Sequence, residues 1–153
     1  SRKPPAAATL NRRRRADMAT LREKYGYLPA VLVTVLEAAG EDVMLRLVAT
    51  LGGNRVYVAS EPRLGSKLAD AVGLDAARKI QAALADMHIM HFDVPTMAGR
   101  LAQIRTERIL ALRHEGLKVA DIARSVGMTE RGVYMALARV RDDAPDERQI
   151  SLF

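Results

Sequence analysis

The chain lacks cysteine and tryptophan, and has only two phenylalanines and four tyrosines among its 153 residues. The absence of cysteine excludes a disulfide framework and any thiolate metal site. Because aromatic side chains are scarce, the core has to be built from Leu, Val, Ile, Ala and Met, which favours packed helices over a β-sandwich. We therefore expect a mainly α protein with short β-strands.

Long apolar runs are also missing. No segment approaches the roughly 20 apolar residues that a membrane-spanning helix requires, and no segment has the pattern of a secretory signal. From these two observations we expect a soluble, intracellular protein that does not bind membranes.

Positive charge is confined to two parts of the chain. Residues 1–20 contain six Lys and Arg against one acid, and residues 97–141 contain nine against four. Residues 21–96 are nearly neutral, with eight against nine, and residues 142–153 form an acidic tail, with one against four. Such segregation is typical of a protein that contacts phosphate groups of a nucleic acid.

The first basic segment combines two prolines with the tetrad Arg12, Arg13, Arg14 and Arg15. Like charges repel and proline removes a backbone donor, so we expect a flexible arm over residues 1–20. Basic arms bind phosphates or a neighbouring minor groove. A tail that only increases solubility is the alternative interpretation.

Residues 21–96 contain two similar units. In the first, a helix ends at Gly40, a second helix ends at Gly52-Gly53, and a short strand covers Arg55–Val58. The order of glycine break, helix and strand recurs 33 residues later and ends in a strand over 88–94. Because two isolated strands leave unpaired edges, they pair either with each other or with a second copy of the chain. We therefore expect this region to form a dimer.

The second basic segment contains the pattern of a helix-turn-helix, over residues 106–141. Ala123 is small enough for two helices to cross closely, and Gly127, four residues later, suits the left-handed conformation of a tight turn. Thr129 is a good N-cap for the following helix. The pattern predicts helices that end near His114, cover 119–126 and begin at Glu130.

The predicted third helix would present the DNA-reading side chains. Arg131 can donate two hydrogen bonds to a guanine, and Glu130 can accept from a cytosine amine or orient Arg131. Tyr134 and Met135 can contact a thymine methyl or a sugar, and phosphate contacts are expected from Lys118, Arg124 and Arg139. Thr129 completes the predicted DNA-binding set. The alternative is a helical hairpin that only packs, with its arginines in solvent.

Catalytic and metal sites find little support in the sequence. His88, His91 and Asp93 are residue types that bind metals, but strand residues three apart point to opposite faces, so these side chains cannot easily converge on one ion. Gly52-Gly53 lacks the Lys-Ser/Thr that a phosphate-binding loop requires, and no nucleophile stands beside a base. We therefore expect neither a metal, a cofactor nor an enzymatic activity.

The chain resembles the Mor transcription-activator family of Mu-like phages in two places. One is the run from the helix end Leu47-Val48-Ala49-Thr50-Leu51 through Gly52-Gly53-Asn54 to the short strand Arg55-Val56-Tyr57-Val58, and the other is the motif at 106–141. The resemblance covers about residues 38–141, with Ala59 where the family usually has proline. It implies a homodimer formed through the helices and strands, including Val56, Tyr57 and Val58. It further implies binding to an inverted-repeat promoter site, recruitment of host RNA polymerase, and a location in the cytoplasm of a bacterial host.

The acidic tail ends in Gln149-Ile150-Ser151-Leu152-Phe153. This pentapeptide resembles the peptides by which bacterial proteins dock on the DNA polymerase sliding clamp, with Gln149, Leu152 and Phe153 as anchors. It supports a second hypothesis, a replication or transposition accessory factor that binds DNA and the clamp. An apolar end that folds back on the protein is the simpler interpretation.

Overall fold

The computed structural model describes residues 6–143 and, within them, the side chains of Arg12 and of residues 15–142. Eight helices and two strands occupy this part of the chain: α1 (Ala6–Tyr25), α2 (Ala30–Ala39), α3 (Glu41–Leu51), β1 (Arg55–Tyr57), α4 (Lys67–Val72), α5 (Leu74–Asp86), β2 (His91–Asp93), α6 (Gly99–His114), α7 (Val119–Val126) and α8 (Glu130–Asp143). The expected mainly α fold with short strands is confirmed. None of the helices between residues 6 and 143 has the length and apolar character needed to span a membrane.

The N-terminal segment differs from the prediction of a flexible arm over residues 1–20. It is helical from Ala6, because alanine and arginine are both strong helix formers and the repulsion between arginine charges is screened by salt. The end of α1 is also anchored to its neighbours. Glu41 on α3 accepts hydrogen bonds from Lys24 Nζ (2.6 Å) and from the Tyr25 hydroxyl, and Arg100 Nε on α6 donates to the Lys24 carbonyl (2.7 Å).

The two predicted units are present as α2–α3–β1 and α4–α5–β2. Each has a glycine between its two helices, and Gly40 (φ 94°) and Gly73 (φ 89°) adopt the same left-handed φ, which favours a residue without Cβ. The units also exchange partners, since α2 packs on α5, α3 packs on α4, and β1 pairs with β2. The two units therefore pack against each other through both of their helices and through their strands.

The strands pair with each other in an antiparallel ladder in which Val56 lies opposite Phe92 and Tyr57 opposite His91. Val56 and Phe92 point into the core, whereas Tyr57 is 72% exposed on the opposite face. Of the residues predicted to form a dimer, Val56 is thus already buried inside its own chain, and Val58 is half-buried. Of the two alternatives left open by the sequence, the strands therefore pair within one chain.

Two buried apolar clusters share one helix. The larger cluster joins α2–α5 and the two strands and takes Leu101 and Ile104 from α6. The smaller one takes Ile109 and Leu112 from the next turns of α6 and packs them against α7 and α8. Because 3.6 residues make one turn, these four residues lie on one side of α6, which therefore contributes to both clusters. Helix α6 consequently fixes α7 and α8 relative to the paired units.

Candidate nucleic-acid interface

The turn between α7 and α8 is set by glycine geometry. Gly127 has φ 70° and ψ 39°, the left-handed conformation predicted for it, and its backbone N–H donates to the Ala123 carbonyl at the end of α7. Met128 N also donates to that carbonyl, at 3.0 Å. The Ala123 carbonyl in the last turn of α7 thereby accepts two hydrogen bonds from the residues that reverse the chain.

The small apolar cluster holds the two helices at this turn. Ala123 is 4% exposed and lies among Ile122, Val126 and Val133, each of which is fully buried. A larger side chain at position 123 would separate α7 from α8, so the alanine fits the close crossing predicted for it. The exposed side of α8 is therefore fixed by the packing of its other side.

Thr129 caps α8 as predicted. Its Oγ1 accepts a hydrogen bond from Gly132 N at 3.1 Å, which satisfies one of the free donors in the first turn. Gly132 also matters for space, since a Cβ there would lie 3.0 Å from Met128 Cε and 3.3 Å from Thr129 Oγ1. The side chains of Met128 and Thr129 thus pack closely against the first turn of α8 at Gly132.

The outward face of α8 contains most of the predicted DNA-reading residues. Glu130, Arg131, Tyr134, Met135 and Arg139 are all exposed, with Tyr134 at 59% and Met135 at 50%. Within residues 6–143, Arg131 forms no hydrogen bond or ion pair, so its guanidinium can engage a ligand without first breaking an internal contact. An exposed tyrosine and methionine beside a guanidinium can contact the edge of a base.

Met135 and Arg139 lie on one flank of that face. They line a groove between α8 and α6, together with Gly132 and, from α6, Arg105 and Ile109. Burial lowers the pKa of Arg105, a residue that sequence reasoning did not select. The groove adds a second cation to the flank on which Arg139 lies.

The predicted phosphate contacts on α7 are exposed as well. Lys118 immediately precedes α7, and Arg124 projects from it. Arg124 is in an ion pair with Asp121 one turn earlier, but the pair is exposed and of the kind that contributes little to stability. Arg124 can therefore exchange this partner for a phosphate at low cost.

The other predicted contacts lie on α1 or outside the described residues. Arg12 and Arg15 are exposed on α1, whereas the side chains of Arg13 and Arg14 lie outside the described part. The clamp-binding prediction for Gln149, Leu152 and Phe153 also falls outside residues 6–143.

The histidines of the second unit are not gathered into a metal site. Asp93 is bound by Arg55 through two hydrogen bonds (2.9 and 3.4 Å), and this guanidinium lowers the pKa of Asp93. His91 contacts the ring of Tyr57 with the ring centres 5.8 Å apart. Among residues 6–143, no three His, Asp or Glu side chains come close enough to share a metal ion.

The helix α3 contacts the turn through a residue that the sequence did not point to. A Cβ on Gly127 would lie 3.2 Å from Arg46 Cα and 3.1 Å from Thr50 Oγ1, so α3 packs directly on the backbone of the turn. The charge of Arg46 interrupts the apolar run of α3, and that interruption is the signal from which its position could have been suspected.

Comparisons with known proteins identify no relative: no family model, no curated protein and no solved structure matches the chain.

Proposed function

We propose that this protein is a sequence-specific DNA-binding regulator of transcription whose α7 and α8 form a helix-turn-helix. In this proposal α8 enters the major groove of double-stranded DNA, as the second helix of such motifs does. The resemblance to the Mor family supports a phage or prophage activator that recruits RNA polymerase.

One observation carries the proposal. Arg131 projects from the first turn of α8, next to the turn at Gly127, and has no internal partner among residues 6–143. The N-terminal residues of a recognition helix are those that reach base edges, and a guanidinium matches the two acceptors of guanine. The excess of Lys and Arg over residues 97–141 would supply attraction to the phosphate backbone.

Selection from a random pool of duplexes with the purified protein tests the proposal. We expect one enriched sequence, and we expect Arg131→Ala to weaken binding to it by about 1–3 kcal/mol, with relaxed preference at one base pair of each half-site. Arg78→Ala is the matched control, because Arg78 is an exposed arginine on α5, a helix whose buried residues belong to the other cluster. Binding that shows no enriched sequence, and that Arg131→Ala and Arg78→Ala weaken equally, would contradict it.

The form of the selected site also tests the homodimer. An inverted repeat would require two copies of the chain, whereas a single half-site would fit one chain whose strands are already paired internally. Exposed Tyr57 remains available to a second copy, but buried Val56 does not.

The alternative of a clamp-dependent accessory factor depends on residues 149–153. Deleting them distinguishes the two hypotheses, because a promoter regulator should keep its activity in a reporter assay. A replication factor of this kind should lose its function while its affinity for DNA is unchanged.

A further inference from the structure

A cleft between α3 and α7 holds cations from both helices. It is lined by Asp42 and Arg46 from α3 and by Arg124 and Ser125 from α7. It lies beside the turn that leads into α8, because Arg46 also contacts the backbone at Gly127. The cleft therefore adjoins the proposed DNA-reading surface but belongs partly to the paired units.

Arg46 has no partner within residues 6–143 that accounts for its charge. Its Nε is buried and makes no hydrogen bond to any described group. A buried donor without an acceptor is rare in folded proteins, and each case calls for an explanation such as a ligand. A charged donor raises that cost further.

The acid in the cleft does not supply the missing partner. Both carboxylate oxygens of Asp42 are bound by Arg108 of α6, at 2.9 and 3.1 Å. Arg124 is in an exposed ion pair with Asp121, and the Ser125 hydroxyl makes no hydrogen bond within the described residues. With Asp42 held by Arg108, the cleft is lined by the unpartnered guanidinium of Arg46, by Arg124, whose exposed pair with Asp121 contributes little to stability, and by the Ser125 hydroxyl.

We propose that Arg46, with Arg124 and the Ser125 hydroxyl, binds one phosphate group of the DNA backbone beside the base pairs that α8 reads. This inference rests on the proposed function. A phosphate has oxygens enough to accept from both guanidinium groups and from the hydroxyl. Such a contact would position α8 on the duplex without reading sequence, and would extend the interface from α7 and α8 onto α3.

Salt dependence of binding tests the proposal with the full chain and the duplex enriched by selection. We expect Arg46→Gln to weaken binding about tenfold at low salt, the loss typical of one charge-assisted contact. The slope of log K against log salt should decrease by about 1, because one fewer counterion is released. Arg78→Gln removes the same charge from α5 and should leave both quantities near those of the wild type.

Neutral methylphosphonates placed singly along each strand locate the contact. At one position the substitution should weaken the wild type about tenfold and leave Arg46→Gln almost unchanged, the result expected when both changes remove the same interaction. Arg124→Gln should be insensitive at that same position. Arg46→Lys keeps the charge and most of the side-chain packing, so it should keep the salt slope. It is the variant to compare with the wild type if Arg46→Gln melts at a much lower temperature.

The outcomes separate this inference from the proposed function. If selection enriches a sequence and Arg131→Ala weakens binding, but Arg46→Gln behaves like Arg78→Gln, the phosphate contact is overturned and the proposed function stands. If no sequence is enriched, the proposed function itself is contradicted. If Arg124→Gln and Arg46→Gln become insensitive to the methylphosphonate at different positions of the duplex, the shared site is overturned.

Discussion

Gly127 is under two constraints, and only one of them is local. Its φ of 70° is required by the turn and follows from the spacing of Ala123 and Gly127. The second constraint is the close approach of Arg46 and Thr50 on α3, which arises from the packing of residues some 80 positions away in sequence. A sequence pattern reports the first and carries no information about the second.

Gly127→Ala should therefore destabilise the protein through both constraints. An alanine at left-handed φ costs about 1–2 kcal/mol, and forcing a Cβ against the α3 backbone adds a packing cost of about 1–3 kcal/mol. Gly116→Ala is the matched control, since Gly116 also has a positive φ (93°) but has open space where the Cβ would be. Urea unfolding should show the larger loss for Gly127→Ala. Equal losses would mean that α3 moves aside freely.

Among the helices, α7 and α8 begin where the sequence predicts and α1 does not. The end of α7 and the start of α8 are marked by residues with a defined local role, Gly127 as the left-handed C-cap of α7 and Thr129 as the hydroxyl N-cap of α8. Over α1, charge repulsion and helix propensity make opposite predictions, and propensity outweighs the repulsion. The contacts that hold the end of α1, from Tyr25 and Lys24 to Glu41, are tertiary and leave no periodic mark in the sequence.

The contact between α1 and α3 makes stability dependent on pH. Burial alone raises the pKa of Glu41, but hydrogen bonds from Lys24 and Tyr25, aided by the charges of Lys24 and Arg108, outweigh it and hold that pKa below its ordinary value of 4.5. A carboxyl group with a lowered folded pKa stabilises the protein above its unfolded pKa. That stabilisation is lost as the pH falls below about 4.5 and through the lowered folded pKa.

Glu41→Gln should remove that acid dependence. It keeps an acceptor for Tyr25 and Lys24 but loses the charge, so at pH 7 it should cost about 1 kcal/mol, because charge-assisted hydrogen bonds are about twice as strong as neutral ones. Thermal melting from pH 7 down to pH 3 should show the wild type and the variant converging. A constant difference across that range would show that Glu41 is not the titrating group. Glu37→Gln, an exposed change on α2, is the control.

On the scale of the whole chain, the paired units change the argument for a dimer. The sequence requires the two strands to find partners, and a second chain or the second strand would satisfy their edges equally well. The register of Val56 opposite Phe92 makes that partner the chain's own second unit. The choice depends on how α2 packs on α5 and α3 on α4, and these are long-range contacts that a degenerate 33-residue repeat suggests but does not fix.

Helix α6 joins the two apolar clusters, and the α3–α7 contact joins them a second time. The first link can be cut at Glu107, whose side chain is exposed between the two sets of α6 core residues. Glu107→Pro removes a helix hydrogen bond and clashes with the preceding turn, at a cost of about 3 kcal/mol or more. Glu107→Ala is the control, because it removes the exposed ion pair with Arg100 but leaves the helix intact.

Hydrogen exchange then distinguishes one cooperative unit from two. If α6 is the main coupling, the proline variant should lose protection at the amides of α7 and α8, while the amides of α3 and α5 keep values near those of Glu107→Ala. If protection falls by the same amount in both clusters, the contact of Arg46 and Thr50 with the turn at Gly127 is strong enough to keep them together. The second result would mean that the paired units and the proposed DNA-reading helix move as one body even without a continuous α6.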